Sequence, residues 1–162
     1  MKKHTLNIKS DIHELPEIER FIENVCDYYN LNNNYFGNIM VAVNEAVENA
    51  IIHGNENNAN KTVSLQFELV PSGILFTIED EGTGFDFNSI PDATDIEKNP
   101  EKKGTGIYLI KALADDVKFL SKGRKIQLTF NITSINKEVF INRKQLIDKY
   151  LKVKKGIFEK NK

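Results

Sequence analysis

Hydrophobic positions along the chain follow two different spacings, and each spacing predicts a different kind of element. Apolar residues alternate with polar ones over 63–69 and again over 74–78, which is typical of strands that bury one face. Pro71, Ser72 and Gly73 separate these two runs and predict a turn between them. Shorter strands are predicted over 5–9, 117–120 and 126–132.

Apolar residues at three- and four-residue steps predict amphipathic helices over 15–29 and 35–53. Gly54 and the polar run 55–60 indicate where the second helix stops. Another helix is predicted to open at Gly104, and a last one near Asn142. Strands with helices packed on one side make an α+β two-layer sandwich.

Composition narrows the class of protein without defining its function. The chain has 162 residues, which suits one domain, and a net charge of −1 gives no global attraction to nucleic acid or a membrane. We find no secretion-type apolar segment and no run near the roughly 20 apolar residues of a spanning helix, so a cytoplasmic protein is expected. Cys26 has apolar neighbours at helical spacing and is expected in the core. The three histidines lack metal-ligand spacing.

The tail after residue 132 is rich in lysine and arginine. Asn142 and Gln145 fit an N-cap and its reciprocal partner, and four later residues could dock on the rest of the chain. Those four are Leu146, Ile147, Tyr150 and Leu151. A solvated, partly frayed helix is expected, with a binding arm as the alternative. No aromatic or glycine-rich surface for reading nucleic acid accompanies it.

The first segment with candidate chemistry is NEAVENAIIHG, residues 44–54. Glu45, Asn49 and His53 stand four residues apart and are predicted to share one stripe of a helix. A carboxylate and an amide one turn apart suit a proton acceptor and a metal-ion ligand. Ordinary solvated helix residues are the alternative.

The second segment, DEGTGFD over 80–86, follows directly after a predicted strand. Asp80 has the same parity as the apolar residues of that strand, so its carboxylate is expected on the buried face and needs a donor. The donor could be a lysine, a backbone amide or the amino group of a ligand. Gly82 and Gly84 would let a flat ligand approach the backbone.

The third segment is KGTGIYL over 103–109. Backbone amides at a helix start, freed of side chains by Gly104 and Gly106, form an anion site suited to phosphate. A helix start without a ligand is the alternative. The polar residues 86–103 before it predict a loop.

In this order and spacing, the three segments resemble the N, G1 and G2 boxes of the gyrase and histidine-kinase ATPase superfamily, called GHKL. The pattern is most similar to bacterial anti-sigma factor serine/threonine kinases and extends over about residues 5–132. The resemblance implies the two-layer sandwich of that superfamily, with a mixed, largely antiparallel sheet. It also implies an ATP-binding domain over 1–132 and a basic extension over 133–162.

The resemblance further implies a role for each segment. In the N box it makes Glu45 the general base and Asn49 the Mg²⁺ ligand, while residues 86–103 become a lid over ATP. The ATP-binding set would be completed by Asp80 on the adenine amino group, Gly82 and Gly84 beside the base and sugar, and Lys102, Lys103, Gly104, Thr105 and Gly106 at the phosphates. Arg20 lies where relatives contact partner proteins, although a helix-surface ion pair explains it equally well. Gly123-Arg124 departs from the glycine-threonine pair that relatives use near adenine.

The implied function is a homodimeric kinase that uses ATP and Mg²⁺ to phosphorylate a STAS-domain anti-anti-sigma factor and alternately binds a sigma factor. The alternative is an ATP-dependent module that holds partners without phosphorylating them, or that regulates a target other than a sigma factor. A P-loop enzyme is disfavoured because no GxxxxGK[ST] motif is present.

Overall fold

A five-stranded sheet forms one layer of the protein. The computed structural model describes residues 3–31, 33–87, 104–132 and 137–160. The strands are β1 His4–Lys9, β2 Thr62–Val70, β3 Gly73–Asp80, β4 Asp116–Leu120 and β5 Lys125–Asn131. Their order across the sheet is β1-β2-β3-β5-β4, and all pairings within the described residues are antiparallel. The predicted α+β class and all five predicted strands are confirmed.

Within the described residues, four α-helices accompany the sheet: α1 Leu15–Tyr28, α2 Asn33–Asn49, α3 Thr105–Leu113 and α4 Lys137–Lys160. Helix α2 continues into a wide π turn, Ala50–Gly54, in which the N–H of Asn55 donates to the carbonyl of Ala50. Because a π turn closes on the fifth residue rather than the fourth, it shifts the side chains that follow. The predicted stripe of three side chains therefore ends at Asn49, and His53 is exposed.

The core lies between the helices and one face of the sheet. Phe67 pairs with Phe76 across β2 and β3, and both rings are fully buried. The opposite face carries polar pairs such as Ser64 with Glu79. This difference between the faces follows from the two-residue period of strands. Cys26 is buried in the core, as predicted.

The C-terminal helix differs from its prediction. It begins at Lys137, so Asn142 lies inside the helix and is not its N-cap. Leu146, Ile147 and Tyr150 are partly buried against the core, whereas Leu151 is 51% exposed. Helix α4 thus packs on α2 along one side and is solvated along the other. Over the described residues, no helix combines the length and apolarity needed to cross a bilayer.

Candidate functional site

Helix α2 and the start of α3 approach each other closely at a glycine. A Cβ added to Gly106 would lie 2.8 Å from Glu45 Oε2 and 3.4 Å from Asn49 Nδ2. Gly104, the residue before α3, has a φ of +104°, which favours glycine. The fold thus brings the predicted anion-binding turn against the predicted carboxylate and amide.

Glu45 is almost fully enclosed, with 7% of its surface exposed. Burial raises the pKa of its carboxyl, because a low-dielectric environment disfavours the charged form. Two groups on α4 act in the opposite direction. The Tyr150 hydroxyl donates to Glu45 Oε1, and Lys154 Nζ lies 3.7 Å from the same oxygen.

Asn49 lies one turn beyond Glu45 on α2. Its Nδ2 atom is buried and has no hydrogen-bond partner among the described residues. Buried amide donors in folded proteins nearly always have partners, so this atom is suited to an acceptor supplied by a ligand. A phosphate oxygen held at the adjacent turn of Gly106 would be such an acceptor.

Asp80 ends β3 on the core face, as its parity predicted, and is 8% exposed. Burial raises the pKa of its carboxyl, and the N–H of Gly82 donates to Oδ1 at 2.7 Å. A backbone amide is therefore one of its donors, which was one of the predicted possibilities. Gly54 is packed against this group, since a Cβ added there would lie 2.4 Å from Asp80 Cγ.

The backbone after β3 is equally crowded. A Cβ on Gly82 would lie 2.0 Å from the Gly54 carbonyl oxygen, and one on Gly84 would lie 2.0 Å from that of Lys122. Gly84 also has a φ of +87°. Both glycines are thus required where this segment passes the π turn and the β4–β5 connection. The close packing of the backbone explains why both positions are glycine, whether or not a ligand binds there.

An aromatic cluster beside this segment was missed by the sequence analysis. Phe87 stacks on Phe119 with ring centroids 4.9 Å apart, and Phe85 meets Phe119 edge-on at 5.7 Å. Lys111 lies 5.9 Å above the Phe119 ring. The available signal was two phenylalanines in an otherwise polar stretch, which strand and helix periods do not detect.

The other site residues predicted from the sequence lie on α3, on α1 or outside the described residues. Thr105 is the first residue of α3, next to the glycine turn. Lys102, Lys103 and most of the predicted lid lie outside the described residues. Arg20 is exposed on α1 and pairs with Glu17 one turn earlier, which matches the helix-surface alternative.

Two contacts from α4 to α2 were also missed. Tyr150 reaches Glu45 across a separation of 105 residues, and Lys154 Nζ lies 3.3 Å from Glu48 Oε1. The sequence offered only the apolar period of the tail as a signal, and that period does not identify the surface on which a helix docks.

These features define a class of protein. An antiparallel sheet covered by helices, with a carboxylate and an amide on one helix and a glycine turn opening the next, has the form of a histidine kinase-like ATPase. The family model described as the histidine kinase-like ATPase domain matches residues 8–130. The chain belongs to this family.

Individual relatives are consistent with this assignment. The chain is 36% identical over 87 residues to serine-protein kinase RsbW of Oceanobacillus iheyensis, a match that covers 49% of this chain and 54% of that protein. It is 34% identical over 109 residues to anti-sigma F factor of Bacillus thuringiensis, covering 60% of this chain and 70% of the relative. The first match thus extends over only about half the relative's length.

A solved structure has the same fold. It contains the RsbU and RsbW domains of a Mycobacterium tuberculosis protein, and it matches with a TM-score of 0.59 and 15% identity. The match covers 82% of this chain and 33% of that one. At this identity the likeness concerns the fold alone.

Proposed function

We propose that the protein is an ATP-dependent serine/threonine-protein kinase with Glu45 as its general base. The observation that carries this proposal is the contact of Gly106 with Glu45 and Asn49, because it joins an anion-binding turn to a buried proton acceptor. The name of one relative, serine-protein kinase RsbW, supports the same activity. The nucleotide-binding unit is proposed to extend over residues 1–132.

ATP would lie along α2, from Asp80 at one end to Glu45 at the other. The Asp80 carboxylate would accept from the adenine amino group while keeping its bond from Gly82. The free backbone of Gly82 and Gly84 would border the base and the sugar. At the phosphates, the turn of Gly104, Thr105 and Gly106 would supply backbone donors, and Lys102 and Lys103 would add positive charge.

The residues present also fit Mg²⁺. No cluster of three or more His, Cys, Asp or Glu side chains that could hold a metal ion occurs in the parts of the chain that are described. Mg²⁺ commonly takes one or two protein oxygens and completes its shell with phosphates and water. Asn49 would contribute its amide oxygen. When bound, the ion would supply positive charge against the phosphate oxygens.

In the transfer step, Glu45 would take the proton from the attacking serine or threonine hydroxyl. Burial raises the pKa of this carboxyl, which makes it a stronger proton acceptor than an exposed glutamate. The developing phosphate charge would meet oriented N–H groups at the start of α3, and such preorganised donors supply much of the catalysis in phosphoryl transfer.

The sigma factor is proposed as a partner from the name of one relative, anti-sigma F factor, and the STAS-domain substrate from the resemblance to anti-sigma factor kinases. A STAS-domain anti-anti-sigma factor would supply the phosphorylated hydroxyl, and a sigma factor would be the alternate partner. Arg20, exposed on α1, would contribute to partner binding. The kinase would act in the cytoplasm as a homodimer.

The test is to incubate the protein with γ-labelled ATP, Mg²⁺ and STAS proteins encoded by the same genome. Wild type is expected to label one of them on serine or threonine. Glu45→Gln should bind ATP with near-normal affinity and lose at least about 10²-fold in transfer, the usual scale for loss of a positioned proton acceptor. Affinity is measured by calorimetry and transfer by label incorporation.

Glu23→Gln is the matched control, because it removes a carboxylate from an exposed position on α1. It should leave both measurements unchanged. Equal transfer by Glu45→Gln and wild type would remove Glu45 as the base. Absence of ATP binding to the wild type would remove the proposed function altogether.

A nucleotide-dependent binding module is the second candidate. The observation that favours it is the hydrogen bond from Tyr150 to Glu45, which engages the proposed base in the structure. Such a module would bind ATP and a partner with no label transferred to any STAS protein.

A further inference from the structure

The C-terminal helix α4 lies directly over the proposed catalytic base. Arg143, Ile147, Tyr150 and Lys154 are spaced by four, three and four residues, so they lie on one side of α4. Each has a contact with the ATPase fold. The side that carries these four residues is called the docking face below.

At both ends of the docking face, a basic side chain pairs with a carboxylate. Arg143 donates through Nη2 to Asp115 Oδ1 at 2.9 Å and through Nε to the carbonyl of Ala112 at 3.3 Å. At the other end, Lys154 Nζ lies 3.3 Å from Glu48 and 3.7 Å from Glu45. These contacts join α4 to the end of α3 at Arg143 and to α2 at Lys154.

The middle of the docking face is apolar except for one hydroxyl. Ile147 is partly buried against the core, and its Cδ1 atom would lie 3.9 Å from a Cβ added to Gly37 on α2. One turn later, the Tyr150 ring packs partly buried against the core and its hydroxyl donates to Glu45 Oε1. The ring therefore holds the hydroxyl directly over the carboxylate.

The Tyr150 hydroxyl makes the hydrogen bond to Glu45 that a substrate hydroxyl would need to make. An acceptor serine or threonine must present an O–H to the Glu45 carboxylate, and Tyr150 already presents one there. Glu45 Oε2 meanwhile faces Gly106, so the second oxygen lies on the side of the proposed phosphate turn. A protein substrate cannot share Oε1 while the phenol ring stands beside it.

Tyr150 and Lys154 also weaken the base. Burial raises the pKa of Glu45, whereas the phenol hydrogen bond and the nearby ammonium lower it. A carboxylate stabilised in its charged form by these donors accepts a proton less readily. The contact thus opposes transfer both by occupying the base and by stabilising its charge.

Part of α4 remains in water while its docking face is in contact with the rest of the protein. The Lys154 side chain is 37% exposed and Leu151 is 51% exposed, so water reaches much of the helix. Elements with few buried apolar contacts open at lower free energy than the core. A partner protein that binds near α2 could therefore replace the helix without unfolding the sheet.

We propose that α4 is an autoinhibitory segment whose Tyr150 hydroxyl occupies the place at Glu45 that the substrate hydroxyl must take. This inference rests on the proposed kinase function. In the resting protein α4 covers the base, and phosphorylation of a protein substrate requires α4 to leave the docking face. Nucleotide binding, which uses the other side of Glu45, proceeds with α4 in place.

The test uses the full chain with Tyr150→Phe, which keeps the ring and removes the hydroxyl, and Lys154→Met, which removes the ammonium. Tyr28→Phe and Lys152→Met are matched controls at exposed positions. With γ-labelled ATP and the STAS proteins of the same genome, each test variant should transfer label about tenfold faster than wild type, the factor expected when one charge-assisted hydrogen bond is lost. The controls should match wild type.

A second readout is hydrogen exchange of the α4 amides, together with ATP affinity. Both test variants should speed exchange in α4 while leaving exchange in β2 and β3, and the dissociation constant for ATP, unchanged. A merely structural role would instead lower transfer and the melting temperature together. That outcome would overturn the proposal.

The remaining outcomes separate this inference from the proposed function. If wild type transfers label and both variants transfer it at the same rate or more slowly, autoinhibition is overturned and the kinase assignment stands. Label found on Tyr150 itself would make the residue an acceptor and overturn its role as a blocking group. ATP binding without transfer in wild type and in every variant would refute the kinase assignment, and autoinhibition with it.

Discussion

Gly106→Ala tests the proposed site most directly, because it adds one methyl group where the start of α3 meets Glu45 and Asn49 of α2. The new Cβ would lie 2.8 Å from Glu45 Oε2 and 3.4 Å from Asn49 Nδ2. Ordinary contacts begin at 3.4 Å, so the carboxylate must move by about 0.6 Å. The amide of Asn49 would be touched without being displaced.

The size of the effect follows from that displacement. A shift of about 1 Å in a catalytic group can lower a rate by about 10²-fold, so roughly 10- to 100-fold slower transfer is expected. ATP affinity should fall as well, because the methyl group fills space beside the proposed phosphate turn. Folding should be little affected, since alanine favours a helix over glycine by up to about 1 kcal/mol and offsets part of the crowding.

Three measurements on one preparation check this prediction: label transfer to a STAS protein, calorimetric ATP affinity and the melting temperature. Gly37→Ala is the matched control, because its Cβ would lie 3.9 Å from Ile147 Cδ1 and displaces nothing. It should keep the ATP affinity of wild type and gain up to about 1 kcal/mol in stability. Wild-type transfer and affinity in Gly106→Ala would refute the view that α2 and α3 form one site.

Two further predictions concern buried ionisable groups. Burial raises the pKa of Asp80 above its ordinary 3.8, so its ionisation lowers folded stability as pH rises through the folded pKa. Asp80→Asn should therefore melt higher than wild type at pH 7, with the difference vanishing below pH 3.8, while binding ATP more weakly. Glu68→Gln on the open face of β2 is the control, and an equal or lower melting temperature of Asp80→Asn at pH 7 would contradict the reasoning. Burial also raises the pKa of Cys26 to about 11. Iodoacetamide at pH 8 should modify it only on unfolding, as mass spectrometry would show, and rapid labelling of the native protein would contradict its place in the core.

Much of the fold could be predicted because its elements are local in origin. The alternation of β2 and β3 is a property of adjacent residues, and the parity of Asp80 followed from it directly. The three- and four-residue spacing of apolar positions likewise predicted α1 and α2, and Gly104 marked the start of α3. The prediction for α2 was wrong beyond Asn49, because a π turn has the same apolar composition as an α-helix and differs only in its hydrogen bonding.

For the tail, the spacing of residues along the sequence predicted only part of the structure. Its apolar period predicted a helix and three of the residues that pack, but the start of the helix was misplaced by several residues. Asn142 and Gln145 match an N-cap pattern in the sequence, but the helix does not begin there. Docking of Ile147 on α2 stabilises a longer helix than capping would, and packing rather than propensity decides most helix boundaries.

The amino-acid sequence by itself determined which residues are candidates for chemistry: a carboxylate and an amide one helical turn apart, a strand-end aspartate and a glycine turn opening a helix. Tertiary structure alone decided which of them meet. Gly106 reaches Glu45, Gly54 reaches Asp80, and Tyr150 reaches Glu45 only because distant segments pack on α2. The physical reason is that helix and strand periods report the direction of a side chain relative to its own backbone, whereas contacts between segments depend on how whole surfaces fit together.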